Sequence, residues 1–122
     1  MPEGEAKQVL DALLAASDVV FVSPVYWFSV PSPLKLCLDQ WSAWLRVPGL
    51  DFKSRMAGKR LWVVATSGDR AKAQPMLDSC RLCAEFMGME WKGALWGKGG
   101  APDTVLTDQA ALAAAEAYFA PI

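Results

Sequence analysis

The residues best placed to do chemistry follow two short apolar runs. Val19-Val20-Phe21-Val22 leads through Ser23, Pro24 and Val25 into Tyr26-Trp27-Phe28-Ser29. Leu61-Trp62-Val63-Val64-Ala65 leads into Thr66-Ser67-Gly68-Asp69. The first loop sets three aromatic rings beside free backbone groups, a combination that can stack on a planar ring and bond its polar edge. Its plain alternative is that the aromatics cover the core or a contact between copies. The second loop is small and polar and would lie on the same rim, although a generic turn of this composition needs no function. The chain contains no histidine. That removes the usual general base, Ser-His triads and most catalytic zinc sites, so chemistry here would fall to a cofactor.

The three cysteines invite a metal or redox reading. Zinc or an iron–sulfur cluster calls for four ligands, and Cys37, Cys80 and Cys83 make three. A redox Cys-x-x-Cys pair sits at a helix N-terminus, where the helix dipole lowers the thiol pKa. Cys80 and Cys83 instead share an apolar helical stripe with Met76 and Met87, as core residues do. Gly97-Lys98-Gly99-Gly100 lacks the dinucleotide-binding spacing and reads as a plain loop. Lys35 and Asp39, four apart, read as a surface pair on a helix.

The elements that must position these residues follow from periodicity. Ala6, Val9, Leu10, Leu13 and Leu14 fall on one face, which predicts an amphipathic helix over about Glu5 to Ala16. Val19–Val22 and Leu61–Ala65 have the length and β-branched content of buried strands, and Ser23-Pro24 is expected to end the first. Pro31-Ser32-Pro33 restarts the chain as a helix to Leu45, with Ser32 as N-cap and Pro33 at the first helical position. Arg46 to Gly58 reads as irregular, Pro75 as the start of a further helix closed at Gly88, and Met89 to Trp96 as an edge strand. The last helix is expected near Asp108 to Phe119. Strands separated by helices imply parallel pairing with right-handed crossovers.

Size and charge bound the rest. At 122 residues and 53% hydrophobic, the sequence predicts one globular domain over 1–122. A net charge of -1 with a pI near 5.3 gives no basic field for nucleic acid. The apolar runs are too short to span a bilayer, and the odd cysteine count argues against a secreted disulfide framework, so a cytoplasmic protein is expected.

The string PVYWFSVPSPLKLCLD resembles the second flavin-binding loop of the flavodoxin-like NAD(P)H-dependent FMN reductases and quinone reductases. The later stretches GKRLWVVATSGD, CAEFMGMEWKGALWGKGG and AAAEAYF are similar to the later half of that family. The resemblance covers nearly the whole chain but about the last two-thirds of a family domain. It begins at the family's second helix, so the first strand, its phosphate loop, the first helix and the second strand have no counterpart.

The resemblance implies an α/β fold, a flavodoxin-like parallel sheet with helices on both faces, truncated to about three strands equivalent to the third, fourth and fifth of the family. It implies FMN as cofactor and NAD(P)H as co-substrate, with hydride passing from nicotinamide to flavin and on to a quinone or flavin acceptor. The cofactor-binding residues it implies are Pro24, Val25, Tyr26, Trp27, Phe28, Ser29, Thr66, Ser67, Gly68 and Asp69, with no catalytic side chain and no metal ligand. The alternative is a family remnant without flavin that serves as an oligomerisation or partner-binding domain, or a fragment whose true start lies upstream. The run Val19–Val22, central in the family, would here be an edge. A long apolar edge is a template for another chain, so a second copy or a complementary chain is expected to cover it.

Overall fold

The computed structural model describes residues 4–101 and 103–120. The chain runs α1 (Gly4–Ala15), β1 (Asp18–Pro24), α2 (Ser32–Trp44), α3 (Phe52–Met56), β2 (Arg60–Ser67), α4 (Arg70–Phe86), β3 (Glu90–Lys98), a 3-10 turn (Thr104–Thr107) and α5 (Gln109–Tyr118). The three strands are parallel, in the order β1-β2-β3. The parallel pairing is what the alternation of strands and helices predicts, and the three-stranded sheet is the one the family resemblance implies.

The apolar runs bury both faces of β2. On one face Phe21, Leu61, Val63 and Ala65 pack with Leu10 of α1, Trp41 and Trp44 of α2, Met56 of α3 and Met76 and Cys80 of α4. Phe52 meets Trp41 and Trp44 edge-on, with ring centroids 5.9 and 5.4 Å away, the arrangement that aromatic quadrupoles favour. On the other face Trp62 packs against Tyr118 and Phe119 at the end of α5, at 5.3 and 5.1 Å. Among the described residues, helices therefore cover both sides of β2 and β3, while this second face of β1 stays open. Val20 and Val22 there are 42% and 74% exposed.

Polar contacts fix how the strands start and end. Asp18 accepts from Arg60 Nε (2.5 Å) and Trp62 Nε1 (2.8 Å), fastening the start of β1 to β2. Lys59 donates to the carbonyls of Leu14 and Ala16, closing the C-terminal end of α1. Asp108 accepts from Lys98 N (2.9 Å) and Ala111 N (3.0 Å), so one carboxylate caps α5 and ties it to the end of β3.

The β2–β3 ladder breaks register between Leu61 and Val63. Gly93 sits at the break with φ +80, a conformation that costs glycine little and other residues more. The extra residue in β3 removes the ladder acceptor of Val63 N–H. Tyr118 Oη replaces it, accepting from Val63 N at 3.1 Å and donating to Gly93 O at 2.7 Å.

Several local expectations are corrected. β1 ends at Pro24 as expected, but not for want of a ladder N–H. Arg60 N donates to Ser17 O and Val25 N to Thr66 O, so odd-numbered positions of β1 face β2 and Pro24 faces outward, where the ladder does not miss its N–H. Pro31, rather than Ser32, occupies the N-cap of α2, without a side-chain cap bond. The stretch Arg46–Gly58 contains α3, whose inward residues Phe52 and Met56 stand four apart. Helix α4 begins at Arg70, five residues before Pro75, because Asp69 Oδ1 accepts from Ala71 N at 2.9 Å and caps it. Pro75 then lies inside the helix and forfeits one bond, the one to the carbonyl four residues back.

Candidate functional site

Parallel strands deliver the loops after β1 and β2 to one rim, because the C-terminal ends of neighbouring parallel strands point the same way. Between these loops lies a cleft of about 510 Å³ lined by Val25, Trp27, Phe28, Ser67, Gly68, Asp69 and Lys72. Six of the ten site residues expected from sequence thus line one cavity.

The β1 loop is a tight turn. Tyr26 N donates to Ser29 O (2.9 Å) and Ser29 N to Tyr26 O (3.0 Å), which closes a two-residue hairpin. The two central residues, Trp27 and Phe28, take φ of 53 and 65. Positive φ at both positions defines a turn of type I′, which glycine, asparagine and aspartate favour. Two bulky aromatics there cost roughly 1–2 kcal/mol each relative to right-handed conformations. The turn presents them outward: Trp27 is 93% exposed. Neither ring is held in the core, so the strain gains no core packing at Trp27.

The opposite wall is the entry into α4. Ser67 Oγ accepts from Trp96 Nε1 (2.8 Å) and donates to Asp69 O (2.8 Å), so this hydroxyl shapes the loop and has no donor left for a ligand. Asp69 spends its carboxylate on the cap of α4. Among the described residues, the amides of Gly68 and Asp69 donate to no protein acceptor, and they lie at the positive end of a helix of 17 residues. The cleft is therefore lined by two aromatics of the β1 loop and by two residues with free amides, with Lys72 as its cation.

The other expected residues serve the frame. Pro24 and Thr66 pair in the β1–β2 register, and Thr66 O accepts from Val25 N at 3.1 Å. Thr66 also leaves no room beside Gly99, where a Cβ would stand 3.1 Å from Thr66 Cβ. Tyr26 and Ser29 close the turn through their backbones. Lys72 was not among the expected residues, because a helix start at Pro75 puts it in a loop. The signal for it is Asp69 as N-cap, which brings Lys72 into the first turn of α4.

Away from the cleft, Cys80 is buried in the core and its thiol is pushed up to about 11, first by burial and then by neighbouring Cys83. Burial also raises the thiols of Cys37 and Cys83. High pKa values keep these sulfurs protonated and unreactive at neutral pH. Among the described residues no three histidine, cysteine, aspartate or glutamate side chains converge as a metal site. No helix among them is long and apolar enough to cross a membrane.

The sequence matches the family profile described as the flavodoxin-like fold over residues 2–120. It is 37% identical over 110 residues to a putative NAD(P)H-dependent FMN-containing oxidoreductase, YwqN, of Bacillus subtilis, covering 88% of this chain and 61% of that protein. It is 37% identical over 76 residues to an FMN-dependent NADH:quinone oxidoreductase of Sinorhizobium fredii, covering 57% of this chain and 35% of that one. The chain thus spans about 61% or less of the length of these curated relatives. Among solved structures, the Trp repressor binding protein from Bacillus subtilis superposes with a TM-score of 0.88 at 35% identity, over 94% of this chain and 76% of that one. An NADPH-quinone reductase from P. pentosaceus shares the fold, with a TM-score of 0.70 at 22% identity over 95% of this chain and 74% of that one. On the profile match, the identity to YwqN and the shared parallel sheet, this chain belongs to the flavodoxin-like family.

Proposed function

We propose that the cleft between the β1 and β2 loops is the flavin-ring site of an FMN-dependent NAD(P)H oxidoreductase. One observation carries this reading: Trp27 and Phe28, held at positive φ, line one cleft with Gly68 and Asp69, whose amides have no protein acceptor among the described residues. Backbone strain of this kind persists where the surrounding structure imposes it, and it clusters at ligand sites. The relatives' names, an FMN-containing oxidoreductase and an FMN-dependent quinone oxidoreductase, support the same group.

The donor set fits the ring end of FMN. Trp27 and Phe28 would stack on the isoalloxazine, the amides of Gly68 and Asp69 would donate to its polar edge, and Val25 would close the inner end. The phosphate end finds no cradle among these residues, since the Ser67 hydroxyl is committed and Lys72 is the cleft's single cation. Bound FMN supplies hydride acceptance from NAD(P)H and onward delivery to a quinone or flavin acceptor. The chain's own contribution is to stack, to orient and to exclude water from one ring face. No protein general base is needed for that work, which suits a chain without histidine.

The test is a visible absorption spectrum of the purified protein, repeated after addition of FMN and removal of the unbound excess. Retained flavin absorbance that Trp27→Ala weakens is expected. A colourless protein would refute the reading. It would leave the alternative, a family remnant that acts through association.

A further inference from the structure

The amides of Gly68 and Asp69 can serve a ligand well only if they point the same way in every molecule. Gly68 has no side chain, and nothing stands within 4 Å of where a Cβ would be, so packing does not orient it. These two residues alone separate the end of β2 from the start of α4. Hydrogen bonds must therefore set their direction.

Those bonds start on β3. Trp96 pairs with Ala65 in the β2–β3 register and packs against the core that α4 covers. Ser67, two residues beyond Ala65, points to the same face of the sheet. Trp96 Nε1 reaches diagonally across the ladder and donates to Ser67 Oγ at 2.8 Å. With that oxygen accepting from the indole, the serine hydrogen is left to point elsewhere. It goes to Asp69 O at 2.8 Å, the carbonyl that also accepts from Lys72 N at 3.2 Å. The bond from Ser67 to Asp69 closes a tight loop around Gly68 and the Asp69 amide. Gly99 N donates to Ser67 O at 2.9 Å and holds the strand end in place.

We infer that Trp96 is a positioning residue for the flavin ring, which through Ser67 holds the Gly68 and Asp69 amides in one direction before the ring binds. The inference rests on the flavin-ring reading of the cleft. Trp96 does not line the cleft itself. Its anchor is a strand packed into the core rather than the loop, which makes the placement precise. Donors already aimed lose little conformational freedom when a ligand arrives, so the gain is affinity. A reduced flavin carries more negative charge at its polar edge than an oxidised one, and hydrogen bonds to a charged acceptor are the stronger ones. Losing the aim therefore weakens the reduced complex more than the oxidised one.

The test compares the whole chain with Trp96→Phe, Ser67→Ala and the double variant. In the flavin-free protein, NMR order parameters of the Gly68 and Asp69 amides should fall in each variant from about 0.85 toward 0.6. FMN titrated by absorbance should bind roughly tenfold more weakly to each. The reduction potential of bound FMN should drop by about 30 mV, a further tenfold loss for the reduced form. The double variant should be no worse than either single one, because both break the same chain of bonds. Packing lost with the indole would instead add to the loss of the hydroxyl and leave the potential unmoved. Additive losses, an unmoved potential or unchanged order at Gly68 and Asp69 overturn the inference while leaving bound FMN in place. Should Trp96→Phe fail to fold, Ser67→Ala decides by the same order parameters and potential, since Trp96 acts only through that hydroxyl. A wild-type chain that retains no FMN refutes the ring site, and the inference falls with it.

Discussion

The hydroxyl of Tyr118 permits a sharp test of how the sheet tolerates its own irregularity. The bulge at Gly93 deprives Val63 N–H of a strand acceptor, and Tyr118 Oη takes that role at 3.1 Å while donating to Gly93 O at 2.7 Å. Val63 is fully buried, so no water can substitute. Tyr118→Phe keeps the ring that packs on Trp62 at 5.3 Å and deletes only the oxygen. An unsatisfied buried donor costs about 1–3 kcal/mol, and a second group, the Gly93 carbonyl, loses its partner too. We expect a loss of about 2–3 kcal/mol. For a domain of this size each kcal/mol lowers Tm by about 3–5 °C, so Tm should fall by about 6–15 °C. Urea unfolding should give a lower midpoint at unchanged slope, because the surface exposed on unfolding is the same. Amide exchange of Val63 should accelerate more than that of Leu61 or Ala65. A loss below about 0.5 kcal/mol would refute the reasoning, since the range for surface substitutions would then contain it.

Trp27→Gly should be more stable than Trp27→Ala by roughly 1 kcal/mol in thermal unfolding, because alanine keeps the left-handed strain and glycine relieves it; both should weaken flavin binding by up to about tenfold. Asp69→Ala should cost about 1 kcal/mol through loss of the α4 cap, read in urea unfolding, and should fray the first turn that carries Lys72. Acid should act through two carboxylates: hydrogen bonds from Arg60 and Trp62 hold Asp18 well below the ordinary value of 3.8, and those from Lys98 N and Ala111 N lower Asp108. Below pH 3.8 the unfolded chain binds protons that the folded one does not, so stability present above that pH is lost as pH falls through the depressed values. A pH series of unfolding midpoints should show this loss, and Asp18→Asn with Asp108→Asn should flatten it.

Two prolines act differently from what local chemistry implies, and for one reason. Pro24 and Pro75 are strong local punctuation, yet each sits where its missing N–H costs little or one bond, one on an outward edge and one inside a capped helix. Whether a proline breaks an element depends on which way its nitrogen would point, and neighbouring strands decide that. The short helix α3 escaped notice because five residues carry too little periodicity to stand out from a loop, although Phe52 and Met56 are both buried. The site was half legible: residue types marked the aromatic loop, but the commitment of Ser67 to Trp96 spans 29 positions, and local chemistry does not report it.

Composition, alternation and one aromatic motif by themselves determined the α/β class, the parallel order of three strands and the two loops on one rim. These depend on local periodicity and on the handedness of crossovers, both of which are written in neighbouring residues. Only the tertiary structure decided that Trp27 and Phe28 stand at positive φ, that Lys72 joins the cleft, that Tyr118 repairs the bulge and that Val20 and Val22 turn outward. Each of these depends on groups brought together from distant parts of the chain, whose pairing is settled by packing and by the need of every buried polar group for a partner.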